Sequence, residues 1–193
     1  MTQTRLSAIA GFSILALIVA GAALWQLNPF RDQPAWVPTC SDLAAPMQAA
    51  AGGAWATADR AGRDDDSHRA SDSSALCDLA FTSADQRFSG TVSVRISGMT
   101  DDDEARREAQ TGDCPGSAWP AAVPAGYAAL RACNALVGER ISSSIRAAKG
   151  QRSLSVTLRT SIPAGSPVED VAGFAQGTLA KLADLGLTLP ENG

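Results

Sequence analysis

Aromatic side chains make up only 5% of this 193-residue chain. The interior therefore has to be filled by Val, Leu, Ile and Ala, a core that gains little per residue and that cross-links would help. Lysine is confined to Lys149 and Lys181, histidine to His68 and tyrosine to Tyr127. An excess of positive charge is missing too: 16 basic residues face 20 acidic ones, a formal charge of −4. That excludes general nucleic-acid binding, which needs a cationic footprint. No two cysteines stand as Cys-x-x-Cys and no zinc-ligand spacing occurs, which removes the common redox and metal motifs. There is no glycine-rich phosphate loop and no Gly-x-Ser-x-Gly elbow.

What is present begins with an uncharged apolar run over residues 6–25, from Leu6 to Trp25. About 20 apolar residues at about 1.5 Å each cross a hydrocarbon layer of about 30 Å. Trp25 sits where an interfacial aromatic belongs. One reading is an uncleaved single-pass membrane anchor within residues 1–27. The other is a signal peptide with Arg5 in its n-region and cleavage near Ala22, in Ala20-Gly21-Ala22. Both place the rest of the chain outside the cytoplasm, because the positive flank stays inside. The anchor reading leaves a cytoplasmic tail too short for an effector domain. Cys40, the first cysteine, lies too far along for a Leu-x-x-Cys lipidation box.

Residues 28–38 carry Pro29, Pro34 and Pro38 and read as a linker. The folded part is expected over residues 39–193, one domain by length, with Trp36 at its start or on the membrane surface. A short helix ending at Gly52-Gly53 is expected, capped by Ser41 or Asp42, with Pro46 tolerated only in a first turn. Residues 59–74 are polar and read as an exposed loop. Period-two alternation at Cys77, Leu79 and Phe81, and again at Val92, Val94 and Ile96, predicts two strands joined as a hairpin. Thr100 is the expected cap of a charged helix over 101–108, which has almost no apolar stripe and should lie on the surface or form only in part. Residues 130–137 read as a strand through Cys133. Ile141, Ser143 and Ile145, then Leu154, Val156 and Leu158, predict a second hairpin around Lys149-Gly150-Gln151. Ser166-Pro167-Val168-Glu169 places an N-cap, an N1 proline and a capping-box glutamate in register. Apolar residues then recur at helical spacing from Val168 to Leu185, and Gly186 is the expected stop. The sum is an α+β domain: an antiparallel sheet of about five strands with a C-terminal amphipathic helix across one face.

Outside the cytoplasm, four cysteines in a small domain read as two disulfides. Of the three connectivities, the sequence-local one, Cys40 with Cys77 and Cys114 with Cys133, is favoured. His68 beside Asp64-Asp65-Asp66 lacks the spaced ligands and turn glycine of a calcium loop and reads as solvated. Asp101-Asp102-Asp103 reads as helix-start electrostatics. Ser142-Ser143-Ser144 with Lys149 suggests a Ser–Lys pair, yet serines on a wet strand face are ordinary. Gly173 and Gly177, on the polar side of the last helix, would allow another segment to pack closely, but read as tolerated drift. No catalytic residue, metal site or cofactor is assigned.

The strongest asymmetry is one of charge. Arg131, Arg140, Arg146, Lys149, Arg152 and Arg159 fall in a segment whose one acid is Glu139. Arg140, Arg146 and Arg159 should point away from the apolar face. Arg140, Arg146, Lys149, Arg152 and Arg159 are therefore a candidate docking surface for an anionic wall polymer, a lipid surface or an acidic envelope protein. The competing reading is a solvated sheet face balanced by the acidic loops.

Pro38-Thr39-Cys40-Ser41-Asp42-Leu43, Cys77 on a strand, the late hairpin and the amphipathic stretch 168–185 come after an exported N-terminus. In that order they resemble small actinobacterial secreted proteins and lipoproteins with no settled activity. Abundant Ala and Gly with scarce Asn match the bias of a GC-rich bacterial genome. The chain departs from the lipoprotein members in lacking the lipobox. The resemblance implies an exported α+β domain and no particular reaction. The expected function is a non-catalytic, membrane-anchored extracytoplasmic binding or accessory module of the bacterial cell envelope. The alternatives are an envelope hydrolase with a dispersed polar site and a small-ligand carrier with a cleft between helix and sheet.

Overall fold

A strand with one buried face alternates apolar and polar residues, and five such stretches build most of this sheet. They are β3 (Asp72–Thr82), β4 (Ser89–Gly98), β6 (Ala129–Val137), β7 (Arg140–Lys149) and β8 (Arg152–Ser161). Three short strands complete it: β1 (Ala54–Thr57), β2 (His68–Arg69) and β5 (Ser117–Ala118). The computed structural model describes residues 34–57, 68–69, 72–119 and 123–190. The apolar run 6–25 and Asp64-Asp65-Asp66 lie outside the described residues. Among the described residues, no helix is long and apolar enough to cross a membrane.

The hydrogen-bonded order is β1-β3-β4-β8-β7-β6-β5, every pair antiparallel, with β2 also paired to β3. The expectation of about five strands is thus corrected upward. β1, β2 and β5 have two to four residues each, too few to show a period. β3 also begins at Asp72, inside the stretch expected to be a loop.

Register puts Cys77, Val94, Val156, Ile145 and Ala132 side by side in one row. That row and its neighbours form the apolar face, and two helices cover it. α1 (Cys40–Ala51) packs against β1 and β3, and α3 (Val168–Thr188) lies over β7 and β8 and touches α1. Leu43, Leu79, Val92, Ile96, Leu158, Leu179 and Leu182 are sealed from solvent there. Aromatic residues fill one end: Phe174 of α3 stacks on Phe88 at 4.7 Å and meets Phe81 at 5.8 Å, and Phe81 stacks on Trp55 at 5.3 Å.

The first helix stops at Gly52 as expected, but other helix ends differ from expectation. Thr39, not Ser41 or Asp42, is the N-cap of α1, and Asp42 closes a capping box on the Thr39 backbone N–H at 2.9 Å. Pro46 sits well inside the helix rather than in its first turn. Its missing N–H leaves the Asp42 carbonyl without the usual helical donor, a loss that tertiary packing of the helix offsets. α3 is capped at Pro167 without a side-chain hydrogen bond, so Ser166 does not play that part. Gly186 continues the helix instead of stopping it, and α3 runs on to Thr188. A Cβ on Gly186 would strike Leu154 and Ile96, so the glycine lets the helix approach the sheet.

The expected linker also ends early. Val37 is fully buried, and the Ala35 N–H donates to the Met99 carbonyl at 3.1 Å. The extended segment up to Thr39 therefore belongs to the folded domain.

Candidate functional site

The second face of the sheet is polar, and its two ends differ. α2 (Asp102–Thr111) crosses one end, over β6, β7 and β8. Its N-cap is Asp101, whose carboxylate accepts from the Glu104 N–H at 2.6 Å; Thr100 instead donates to the Glu104 side chain at 3.2 Å. The helix expected to float on the surface is thus docked. Ala105 and Ala109, both buried, meet Ala129 and Ala148 of the sheet and half-buried Met99. Alanine lets two backbones come close, so a stripe two residues wide suffices.

Charge completes that docking. Arg146 donates to the Glu108 carbonyl at 3.0 Å and pairs with its carboxylate at 3.7 Å. Arg131 donates to the carbonyls of Gln110 and Gly112 at 2.5 and 3.0 Å. These carbonyls close the C-terminal turn of α2, where a cation is favoured. The Cys114–Cys133 disulfide, with Cα atoms 5.7 Å apart, then fastens the following loop to β6. On the opposite face Cys40–Cys77, at 5.3 Å between Cα atoms, joins the start of α1 to β3. The connectivity is the sequence-local one, and no described cysteine is free.

The proposed basic cluster is consequently divided three ways. Arg146 lies beneath α2. Lys149 and Arg152 stand at the hairpin tip on the helix-covered side. Lys149 lies 5.3 Å from the Tyr127 ring, and Arg152 lies 5.2 Å from the Trp36 ring and donates to the Leu189 carbonyl at 2.7 Å. Of these residues, only Arg140 and Arg159 share the end of the polar face that no described element covers. Both are exposed, and neither has an ion pair or hydrogen bond among the described residues.

Strand register explains this division. Arg140 pairs with Ser161 across β7 and β8, and Ser142 pairs with Arg159. Thr91 of β4 lies opposite Arg159 on its other side. The two arginines are therefore diagonal neighbours on one face, with hydroxyls around them. Lys149 and Arg152 are opposite each other on the other face, because their positions differ from Arg140 and Arg159 by an odd number. Ser89, Thr91, Arg140, Arg159 and Ser161 line a hollow of about 370 Å³ to which, among the described residues, no carboxylate contributes. A second hollow of about 460 Å³ shares Arg140 and Ser161 and adds Val137, Glu139 and Ile162. Val137, exposed at the end of β6, is the apolar side chain that β6 brings to this second hollow.

Other candidates stay apart. Ser143 faces the core and is fully buried while Ser142 and Ser144 face the polar side, so they form no group with Lys149. Gly173 and Gly177 have nothing among the described residues within reach of an added Cβ. Among the described residues no three His, Cys, Asp or Glu side chains gather as a metal site. The hydroxyls of Ser89, Thr91 and Ser161 were not singled out from sequence. Counting outward from the Gly150-Gln151 turn would have placed Ser161 beside Arg140.

Fold and site together define a twice disulfide-linked antiparallel α+β domain with a cationic, hydroxyl-lined hollow at one end of its open face. Comparison of the chain with protein-family models, curated proteins and solved structures finds no match.

Proposed function

We propose that the protein is a non-catalytic extracytoplasmic module that docks an anionic component of the bacterial envelope. It is held at the membrane by residues 6–25 or released after cleavage near Ala22. The observation that carries this reading is the uncovered pair Arg140 and Arg159, exposed and unpaired among the described residues at a hollow lined by hydroxyls. The two disulfides add support, since such bonds persist mainly in oxidising compartments. The docking surface is smaller than five basic residues: Arg146, Lys149 and Arg152 are engaged within the fold.

Co-sedimentation of the full chain, held in maltoside micelles, with detergent-extracted bacterial cell envelopes tests the proposal. The chain should pellet with the envelopes at low salt and be released as salt rises, because exposed charges are screened over about 10 Å at 0.1 M. The double variant R140Q/R159Q should stay largely in the supernatant. Equal sedimentation of both proteins would refute docking through this hollow.

A further inference from the structure

We propose that the hollow between Arg140 and Arg159 is a phosphate-binding site, holding one phosphate group of an extended phosphate-bearing polymer. This rests on the docking reading above and assigns its ligand.

The stoichiometry of donors favours phosphate. Diagonal neighbours on paired strands have Cβ atoms about 7–8 Å apart or slightly less. Two guanidinium groups at that spacing can converge on one group set between them. A carboxylate is saturated by a single bidentate arginine, whereas a phosphate group has further acceptor oxygens and suits arginine forks. Ser89, Thr91 and Ser161 border the same space and bring neutral donors. Thr160, also on its border, already donates to the Ser89 carbonyl at 2.8 Å and helps to hold the strand ends together.

The company these arginines keep strengthens the assignment. Arg131, Arg146 and Arg152 each donate to backbone carbonyls of the fold. Arg140 and Arg159 have no such partner among the described residues, and like charges close together on a sheet are unfavourable. An oxyanion between them would remove that repulsion.

The neighbouring hollow bears on the group attached to that phosphate. It shares Arg140 and Ser161 but contains Glu139 and the apolar Val137 and Ile162. A second phosphate there would meet a carboxylate, so an uncharged spacer between phosphates fits better. The hollow runs on past Arg140 into that second space, whose apolar side suits a chain continuing beyond one phosphate, as a polymer does.

Calorimetric titration of the full chain in maltoside micelles tests the assignment, using soluble poly(glycerol phosphate) and poly-glutamate of matched charge. The phosphate polymer should bind more tightly, and inorganic phosphate should compete with it. R140Q and R159Q should each weaken binding roughly tenfold, the loss of a charge-assisted hydrogen bond. R107Q, on the exposed side of α2, should bind as the parent does, and unchanged melting temperatures would show that all variants fold. Poly-glutamate binding equally well, or binding untouched by R140Q and R159Q, would overturn the phosphate assignment. If poly-glutamate alone binds and is lost in R140Q/R159Q, the ligand is wrong while anion docking stands; if neither the polymers nor phosphatidylglycerol vesicles bind, both fail. An R140Q/R159Q-sensitive preference for phosphatidylglycerol over phosphatidylcholine vesicles, without polymer binding, would make the source a lipid and overturn the polymer.

Discussion

Tyr127 donates its hydroxyl to the Asp184 carboxylate of α3 at 3.1 Å. Partial burial, and then the negative charge of Asp184, push its pKa up to about 12. It is the one tyrosine in the chain, so its ionisation can be followed without overlap. Ultraviolet titration should give a midpoint near 12, and D184N should bring it closer to the ordinary value of about 10. Because the folded value lies above the unfolded one, this group favours the fold fully below about pH 10, and the contribution is lost as pH rises towards 12. A parent midpoint near 10 would show that the contact does not form. Gly98 makes a different point about single residues. An added Cβ would collide with the Ala35 carbonyl, and that backbone is held by its hydrogen bond to Met99. G98A should lose about 1–3 kcal/mol, the usual cost of overpacking, in urea unfolding. Neither contact could be read from sequence, since both join positions whose nearness the fold creates. Thr39 was legible in principle: Thr39 and Asp42 stand at capping-box spacing.

At the scale of elements, α2 is the instructive case. Its composition advertises a surface helix, and its first turn is acidic as the dipole requires. What holds it to the sheet is two alanines, and alanine carries too little hydrophobic signal to mark a buried stripe. The arginines that finish the job come from β6 and β7, beyond the reach of a local pattern. R146A should therefore speed amide hydrogen exchange across residues 102–111 and cost about 1–3 kcal/mol. Unchanged exchange would mean that Ala105 and Ala109 suffice. The longer strands were legible because one face of each is buried, as Val92-x-Val94-x-Ile96 shows; β1, β2 and β5 are shorter than one readable period. Disulfides act between elements. C40S/C77S should lower stability by about 2–4 kcal/mol. Since that bond anchors the start of α1, protease sensitivity should rise there first. Thermal melting without reductant gives the magnitude, and limited proteolysis the place.

For the whole molecule, net charge was a poor guide to the site. A chain with a formal charge of −4 still presents a hollow between two arginines that no acid among the described residues lines. Sequence placed six basic residues in one segment and offered five of them as a docking surface. It could not sort them, because hairpin parity and the position of α2 decide which stay exposed. Parity sends Lys149 and Arg152 to one face, α2 covers Arg146, and Arg140 and Arg159 remain.

Arg152 has a practical consequence for handling the protein. Its guanidinium lies over Trp36, where the chain enters the domain, and bonds the Leu189 carbonyl, where α3 ends. Both ends of the fold are thus gathered at one pole, beside the Lys149–Arg152 turn. A reporter or affinity handle fused after α3 would hang from that pole and leave Arg140 and Arg159 clear. A handle inserted in the 138–139 turn, beside Arg140, would stand over the hollow. Immobilised through its C-terminus, the protein would present the hollow outward, so surface-capture measurements can be made without masking the residues under test.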